Sequence, residues 1–143
     1  MRLYAESSAV FAWLFGEPAG VAVRQALAGA DLIVTSDLTL VECDRVVIRA
    51  QVSDGLAEAR AADIRARLNT AAAHWNLLRV DRDVVDRARR PFPAEPIRAL
   101  DAIHLASALV ARSALEGLIL LSLDRRVRGA GKQLGLEVLP VES

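Results

Sequence analysis

Short apolar runs that alternate with longer helical segments constrain the fold of this chain most. The sequence predicts strands at residues 2–5, 32–34, 77–80, 118–122 and 137–139. These runs are short, continuous and mostly aliphatic, as expected of strands that are buried on both faces. Helical segments lie between successive runs, which is typical of an α/β fold with a mostly parallel central sheet. We therefore expect a three-layer α/β/α architecture with five strands, formed by a single domain over residues 1–143.

Capping residues and prolines set the expected bounds of the helices. Ser7 or Ser8 is expected to cap the first helix, and Ser53 and Asp54 are expected to open the fourth. The segment 90–96 contains three prolines, which cannot all lie inside a helix. We expect it to be a loop between two helices.

Charge and cysteine content exclude several classes of protein. The chain has 18 basic and 18 acidic residues, so it is not a simple polybasic nucleic-acid binder. The single cysteine, Cys43, cannot form a disulfide within the chain, which suits a reducing compartment, and its apolar neighbours predict a small buried side chain. No apolar run reaches the roughly 18 residues that span a bilayer, and the first residues do not resemble a signal peptide. We expect a cytoplasmic protein with no membrane segment.

The basic residues are unevenly distributed and are almost all arginine. Arginine binds phosphate well because its planar guanidinium can donate two parallel hydrogen bonds. Two interpretations remain open, namely contacts to a nucleic-acid backbone and ordinary solvated helix faces. The two clusters are Arg79, Arg82, Arg87, Arg89, Arg90 and Arg98, and then Arg125, Arg126, Arg128 and Lys132.

Four acidic residues have mainly apolar neighbours, unlike the other acids of the chain. Glu6 follows the first predicted strand, and Asp124 follows the apolar run at 118–122. Glu42 lies in the first turns of a predicted helix, and Asp101 lies at the start of another. A carboxylate in such surroundings is costly unless it is paired or bound to a metal ion.

The predicted topology brings these four acids to one place. Strand carboxyl ends and the amino ends of the following helices share one edge of a parallel sheet, where ligands usually bind. Four carboxylates in one crevice would repel one another, and a divalent cation would relieve this repulsion. Oxygen ligands favour Mg²⁺ or Mn²⁺ over Zn²⁺. Other interpretations stay open, since Asp101 and Asp124 could serve only as helix caps and Glu6 could be an exposed residue after a strand.

The same residues lie in segments that resemble the motifs of PIN domains of the VapC toxin group. The segment LYAESSAV at 3–10 resembles the opening motif, and TSDLTLVE at 35–42 resembles the second. The segment LDAIHLASA at 100–108 is very close to the third motif and is the most specific of the set. LSLDRR at 121–126 resembles the fourth, and GLEVL at 135–139 matches the usual last strand.

This resemblance implies a metal-dependent endoribonuclease that cleaves RNA, such as tRNA, and is neutralised by a cognate antitoxin. It also implies a homodimer. The residues implied as catalytic metal ligands, and the serines implied as their support, are Glu6, Glu42, Asp101 and Asp124, with Ser7 and Ser122.

One departure from the family pattern concerns the first acid. The family usually has aspartate where this chain has Glu6, and the extra methylene moves the carboxylate by about one bond length. Mg²⁺ tolerates misplaced ligands poorly. The departure leaves three alternatives open: a compensating backbone shift, a preference for Mn²⁺, or a catalytically inactive binding module for RNA or protein.

Two other classes of α/β protein fit poorly. A phosphoacceptor domain needs a lysine after the fifth strand, and the only lysine, Lys132, lies in a predicted helix. A nucleotide-binding domain needs a glycine-rich loop after the first strand, which is absent from the sequence. His104, between Ile103 and Leu105, is expected to be a hydrogen-bonded core or interface residue and not a general base.

Overall fold

The structure is a computed structural model that describes residues 1–142. In this range the strands are β1 (Arg2–Ala5), β2 (Leu32–Ser36), β3 (Asn76–Leu78), β4 (Ile119–Leu121) and β5 (Glu137–Leu139). The helices are α1 (Ser7–Leu14), α2 (Gly20–Gly29), α3 (Asp37–Ser53), α4 (Glu58–Ala72), α5 (Arg82–Ala88), α6 (Ala99–Ala114) and α7 (Arg125–Gln133). Within residues 1–142, no helix is long and apolar enough to cross a membrane.

All five strands form one parallel sheet, as the sequence predicted. The strand order is β3-β2-β1-β4-β5, and each neighbouring pair is parallel. The first strand of the chain therefore lies in the middle of the sheet. Its register pairs Leu3 with Ile119 and Ala5 with Leu121 on one side.

Two apolar cores cover the two faces of the sheet, which gives the expected three layers. Leu3 and Leu121 point to one core, which α1, α2, α3 and α4 cover. Tyr4 and Leu120 point to the other, which α6 and α7 cover. This alternation is the period of two that a strand imposes on its side chains. Cys43 is 1% exposed in the first core, and burial raises the pKa of its thiol, in agreement with the expected structural role.

Two of the expected helix starts are wrong. Glu6, and not Ser7 or Ser8, caps α1, because the Glu6 side chain accepts a hydrogen bond from the backbone N–H of Ser8. Ser53 ends α3 instead of opening α4. The chain then turns through Gly55, whose φ of 69° is accessible at little cost only to glycine, and α4 begins at Glu58.

The proline-rich segment is a loop between α5 and α6, as expected. An arginine of the first basic cluster holds it in place. The Arg87 guanidinium lies 4.2 Å from the centre of the Phe92 ring and donates hydrogen bonds to the carbonyls of Arg90 and Pro91. This loop leads directly to Arg98, the residue that caps α6.

Candidate active site

The acidic residues lie at the edge of the sheet where the carboxyl ends of β1 and β4 meet. The strand order changes direction at this point, because β1 connects towards β2 on one side while β4 and β5 lie on the other. Ligands of parallel α/β sheets bind at such switch points. Glu6 and Ser122 directly follow the paired residues Ala5 and Leu121, so the register alone brings them together.

Glu6 is buried and is held by serine hydroxyls. Its Oε2 accepts hydrogen bonds from the Ser122 hydroxyl at 2.8 Å and from the Ser8 hydroxyl, in addition to the Ser8 N–H. Burial raises the pKa of the Glu6 carboxyl above its ordinary value, although the charge of His104 and the serine hydrogen bonds act against this shift. Glu6 is 5% exposed, so the alternative of an exposed residue after a strand is wrong.

Glu42 reaches the same region from the second turn of α3. Its Oε1 lies 2.7 Å from the Ser7 hydroxyl and 2.6 Å from Nε2 of His104. Because a carboxylate only accepts hydrogen bonds, His104 donates from Nε2. Burial alone would raise the pKa of the Glu42 carboxyl, but the hydrogen bonds from His104 and Ser7 outweigh it and hold the pKa below its ordinary value.

His104 is a buried link in a hydrogen-bonded chain, as its apolar neighbours predicted. Its side chain is 1% exposed, and its Nδ1 lies 2.9 Å from the Tyr4 hydroxyl. Burial raises the pKa of Tyr4, so this hydroxyl keeps its proton. The hydrogen-bonded chain Tyr4–His104–Glu42 therefore connects the sheet, α6 and α3. It fixes the position of the Glu42 side chain through buried groups.

Asp101 and Asp124 share a different partner, the guanidinium of Arg98. Nε of Arg98 donates to Oδ2 of Asp101 at 3.2 Å, and Nη2 lies 3.9 Å from Oδ2 of Asp124. Asp124 also caps α7, since its Oδ1 accepts from the backbone N–H groups of Arg126 and Val127. Asp101 is not the cap of α6, because Arg98 occupies that position.

The four acids thus form two pairs with different partners. Glu6 and Glu42, here called the glutamate pair, bind serine hydroxyls and His104. Asp101 and Asp124, here called the aspartate pair, bind Arg98. Within residues 1–142, no three Asp, Glu, His or Cys side chains are grouped so that they could hold a metal ion. The role of the four acids as metal ligands therefore stays a prediction.

Several supporting residues escaped the sequence analysis. The Ser8 hydroxyl accepts hydrogen bonds from the backbone N–H groups of Leu123 and Asp124, so it ties α1 to the residues after β4. The hydroxyls of Thr35 and Thr39 lie 2.8 Å apart beneath Ser7. Each is a small polar residue beside a strand end, which is a weak signal. Only the tertiary pairing of β1 with β2 and β4 identifies the partners.

Comparison with known proteins agrees with this geometry. A family model described as "PIN domain" matches residues 3–133. A curated relative, "Ribonuclease VapC46" of Mycobacterium tuberculosis, is 39% identical over 137 residues, which are 96% of this chain and 95% of that protein. The chain belongs to the PIN-domain family. The resemblance drawn from the motifs is therefore confirmed, and this PIN domain carries its four acids on the segments that had suggested the family.

Solved structures support the fold of this PIN domain. A toxin-antitoxin complex from Klebsiella pneumoniae contains a chain with a TM-score of 0.63 and 19% identity, covering 98% of this chain and 97% of that one. VapC20 of Mycobacterium tuberculosis, described as a sarcin-ricin loop cleaving toxin, has a TM-score of 0.60 and 16% identity, covering 90% of this chain and 95% of that one. At such identities these similarities establish the architecture alone.

The arginine clusters of this PIN domain divide into structural and exposed members. Arg128 is 4% exposed and donates hydrogen bonds to the carbonyls of Ser122 and Pro140, so it fastens the C-terminal segment beneath the site. Arg87 holds the proline-rich loop. Both arginines therefore have structural contacts to the backbone. The exposed members include Arg89 and Arg90, and also Arg125 and Arg126, which directly follow Asp124.

Proposed function

We propose that this PIN domain is a metal-dependent endoribonuclease toxin that a cognate antitoxin neutralises. The observation that carries the proposal is the 39% identity to a protein named as a ribonuclease over nearly the whole of both chains. Four carboxylates at the topological switch point of the sheet support it, because ligands bind there in parallel α/β folds.

The donor set of the site fits Mg²⁺ or Mn²⁺. Asp101 and Asp124 already share one positive group, the Arg98 guanidinium, so their charges and positions suit a cation between them. Carboxylate oxygens are the ligands that these hard ions prefer. In the proposed loaded state Asp101 and Asp124 would hold the ion, with Glu6 and Glu42 as the further carboxylates of the site. A bound divalent ion supplies positive charge to a phosphate and acidifies a neighbouring water.

The neighbours of the glutamate pair prepare it for this role. The hydrogen bonds of His104 and Ser7 lower the pKa of Glu42, which keeps its carboxylate ionised at neutral pH. Both bonds fall on Oε1. We assign Glu42 the task of orienting a water for attack on phosphorus. Ser8 and Ser122 donate hydrogen bonds to the Glu6 carboxyl at the position where the family usually has aspartate.

An RNA cleavage assay tests the proposal. The purified chain would be incubated with a mixed pool of tRNA and structured RNA in Mg²⁺, in Mn²⁺ and in EDTA. We expect cleavage that requires metal and falls by about a hundredfold or more in Asp101→Asn, as for the loss of one group that stabilises the transition state. Asp63→Asn is the matched control, since it removes an exposed carboxylate on α4 that pairs with Arg60.

The outcome separates an enzyme from an inactive module. Cleavage that survives in EDTA, or that Asp101→Asn leaves unchanged, contradicts the proposed site. If the folded protein without antitoxin cleaves no RNA in either metal, the catalytically inactive binding module becomes the better interpretation.

An exposed apolar groove beside α1, α2 and α4 suits an antitoxin segment. Trp13 and Trp75 lie in it with their rings 6.3 Å apart, and Leu27 and Ile33 complete the apolar lining. Grooves of this kind bind the apolar face of a partner peptide. We expect a neighbouring gene to encode a small DNA-binding protein, which inspection of the adjacent open reading frames would check. The homodimer and the cytoplasmic location stay predictions.

A further inference from the structure

Arg98 lies at the mouth of the site and contacts both acids of the aspartate pair. It precedes α6, so its backbone is fixed by the start of that helix. The Arg98 side chain is 66% exposed, whereas those of Asp101 and Asp124 are 11% and 28% exposed. A mostly exposed cation thus lies against two carboxylates that are largely withdrawn from solvent.

The oxygen atoms that face Arg98 are the ones without a helix-capping role. Oδ1 of Asp124 is committed to the backbone of α7, and Oδ2 is the atom directed to the guanidinium. Oδ2 of Asp101 is also directed to it. Two carboxylate oxygens, one from α6 and one from the residue that caps α7, therefore face one positive group.

We propose that Arg98 is a positioning residue that acts as an internal counter-ion of the aspartate pair and must leave it before a divalent cation can bind. This inference rests on the proposed function, because it concerns the same site. In the metal-free protein Arg98 reduces the repulsion between Asp101 and Asp124 and keeps both oriented. Metal binding is then an exchange of one cation for another, and Arg98 lowers the affinity for the metal.

The weakness of the contact makes this exchange feasible. An exposed arginine loses side-chain entropy in an ion pair and gains little in water, so its hold on a carboxylate is small. A divalent ion that binds both carboxylates gains more from each of them. The partners of the glutamate pair, in contrast, are buried hydroxyls and a buried imidazole that cannot leave without unpacking the core.

Calorimetric titration of the metal-free full-length protein with Mn²⁺ measures the competition directly. The wild type would be compared with Arg98→Gln, Arg98→Lys and Arg126→Gln. We expect Arg98→Gln to bind Mn²⁺ about fivefold more tightly than the wild type, which corresponds to the loss of one exposed ion pair. Arg98→Lys should return the affinity towards that of the wild type, since it keeps the charge.

Arg126→Gln is the control for charge at a distance. Arg126 is exposed at the start of α7, and its removal changes the net charge by the same amount without breaking the contact to the aspartate pair. We expect a smaller gain in affinity than for Arg98→Gln. Asp101→Asn should abolish the binding of Mn²⁺. This result would show that the heat measured with the wild type comes from binding at this site.

The possible results distinguish the two proposals. If Mn²⁺ binds and requires Asp101, but Arg98→Gln binds no more tightly than Arg126→Gln, the counter-ion role is wrong and the metal site stands. If neither the wild type nor Arg98→Gln binds Mn²⁺, both proposals fall. Binding by Arg98→Gln but not by the wild type would support the counter-ion role most strongly.

Discussion

The glutamate pair and the aspartate pair are neighbours in one site, but the protein holds them by different means. Glu6 and Glu42 receive hydrogen bonds from buried groups on rigid elements, namely Ser122, Ser7 and His104. Asp101 receives a hydrogen bond from the long, mostly exposed Arg98, which lies 3.9 Å from Asp124, and Asp124 receives its hydrogen bonds from the backbone at the start of α7. The difference teaches that buried side chains hold the glutamate pair, while an exposed ion pair joins the two aspartates.

The largest expected effect concerns His104. His104→Leu leaves Glu42 and the Tyr4 hydroxyl without their buried partner, and we expect the free energy of unfolding in EDTA to fall by about 3 kcal/mol. Arg98→Gln should cost less than about 1 kcal/mol, as for an exposed pair. Urea denaturation measures both.

The exposed His74 supplies the control for this experiment. His74→Leu makes the same chemical change at a half-turn after α4, and we expect almost no loss of stability. The contrast between the two pairs would be refuted if Arg98→Gln destabilised the protein as much as His104→Leu.

A smaller effect is expected at the hydroxyl that holds Glu6. Ser122→Ala removes the donor at 2.8 Å from the buried carboxylate, and hydrogen bonds to charged groups contribute about 1.5–3 kcal/mol. Ser113→Ala is the matched variant, because Ser113 is exposed and bonds only the carbonyl of Val110 in its own helix. Equal melting temperatures of the two variants would show that Ser122 does not support Glu6.

The smallest effect, a dependence on pH, separates the two glutamates from each other. The folded-state pKa of Glu6 is raised by burial, so its contribution to stability is present below about pH 4 and is lost as the pH rises through the raised pKa. The folded-state pKa of Glu42 is lowered, because His104 and Ser7 outweigh burial. Its contribution is present above about pH 4 and is lost as the pH falls through the lowered pKa.

Two neutral variants reveal these opposite signs. Relative to the wild type, Glu6→Gln should become more stable as the pH rises from acid to neutral, and Glu42→Gln should become less stable. Urea denaturation of the metal-free protein across this range measures both differences. Slopes of the same sign would mean that the environments of the two carboxyls are more alike than their partners suggest.

The fold and the positions of the four acids follow from local patterns in the sequence. Parallel strands that are buried on both faces must be apolar on both faces. The continuous apolar runs around Val34 and Leu120 can therefore be recognised as strands from the sequence alone. An acid directly after such a run, as at Glu6 and Asp124, then lies at the carboxyl edge of the sheet. This reasoning needs no knowledge of which strand pairs with which.

The partners of the acids could not be predicted in the same way. Serines are preferred helix caps, so the sequence favoured Ser7 or Ser8 at the start of α1, whereas the Glu6 side chain caps the helix and also accepts a hydrogen bond from Ser122. Arg98 is an exposed arginine in an irregular segment, and its contact with Asp124 depends on how α6 and α7 approach each other. Such contacts arise from tertiary packing and produce no periodic pattern in the sequence.

The central position of β1 determines when, during synthesis of the chain, the site can assemble. Glu6 is synthesised 116 residues before its partner Ser122, and β1 before its pairing strand β4. A nascent chain that stops before β4 has an open sheet and only one edge of the crevice. We therefore expect the site to remain unassembled on the nascent chain until β4 and Ser122 have been made.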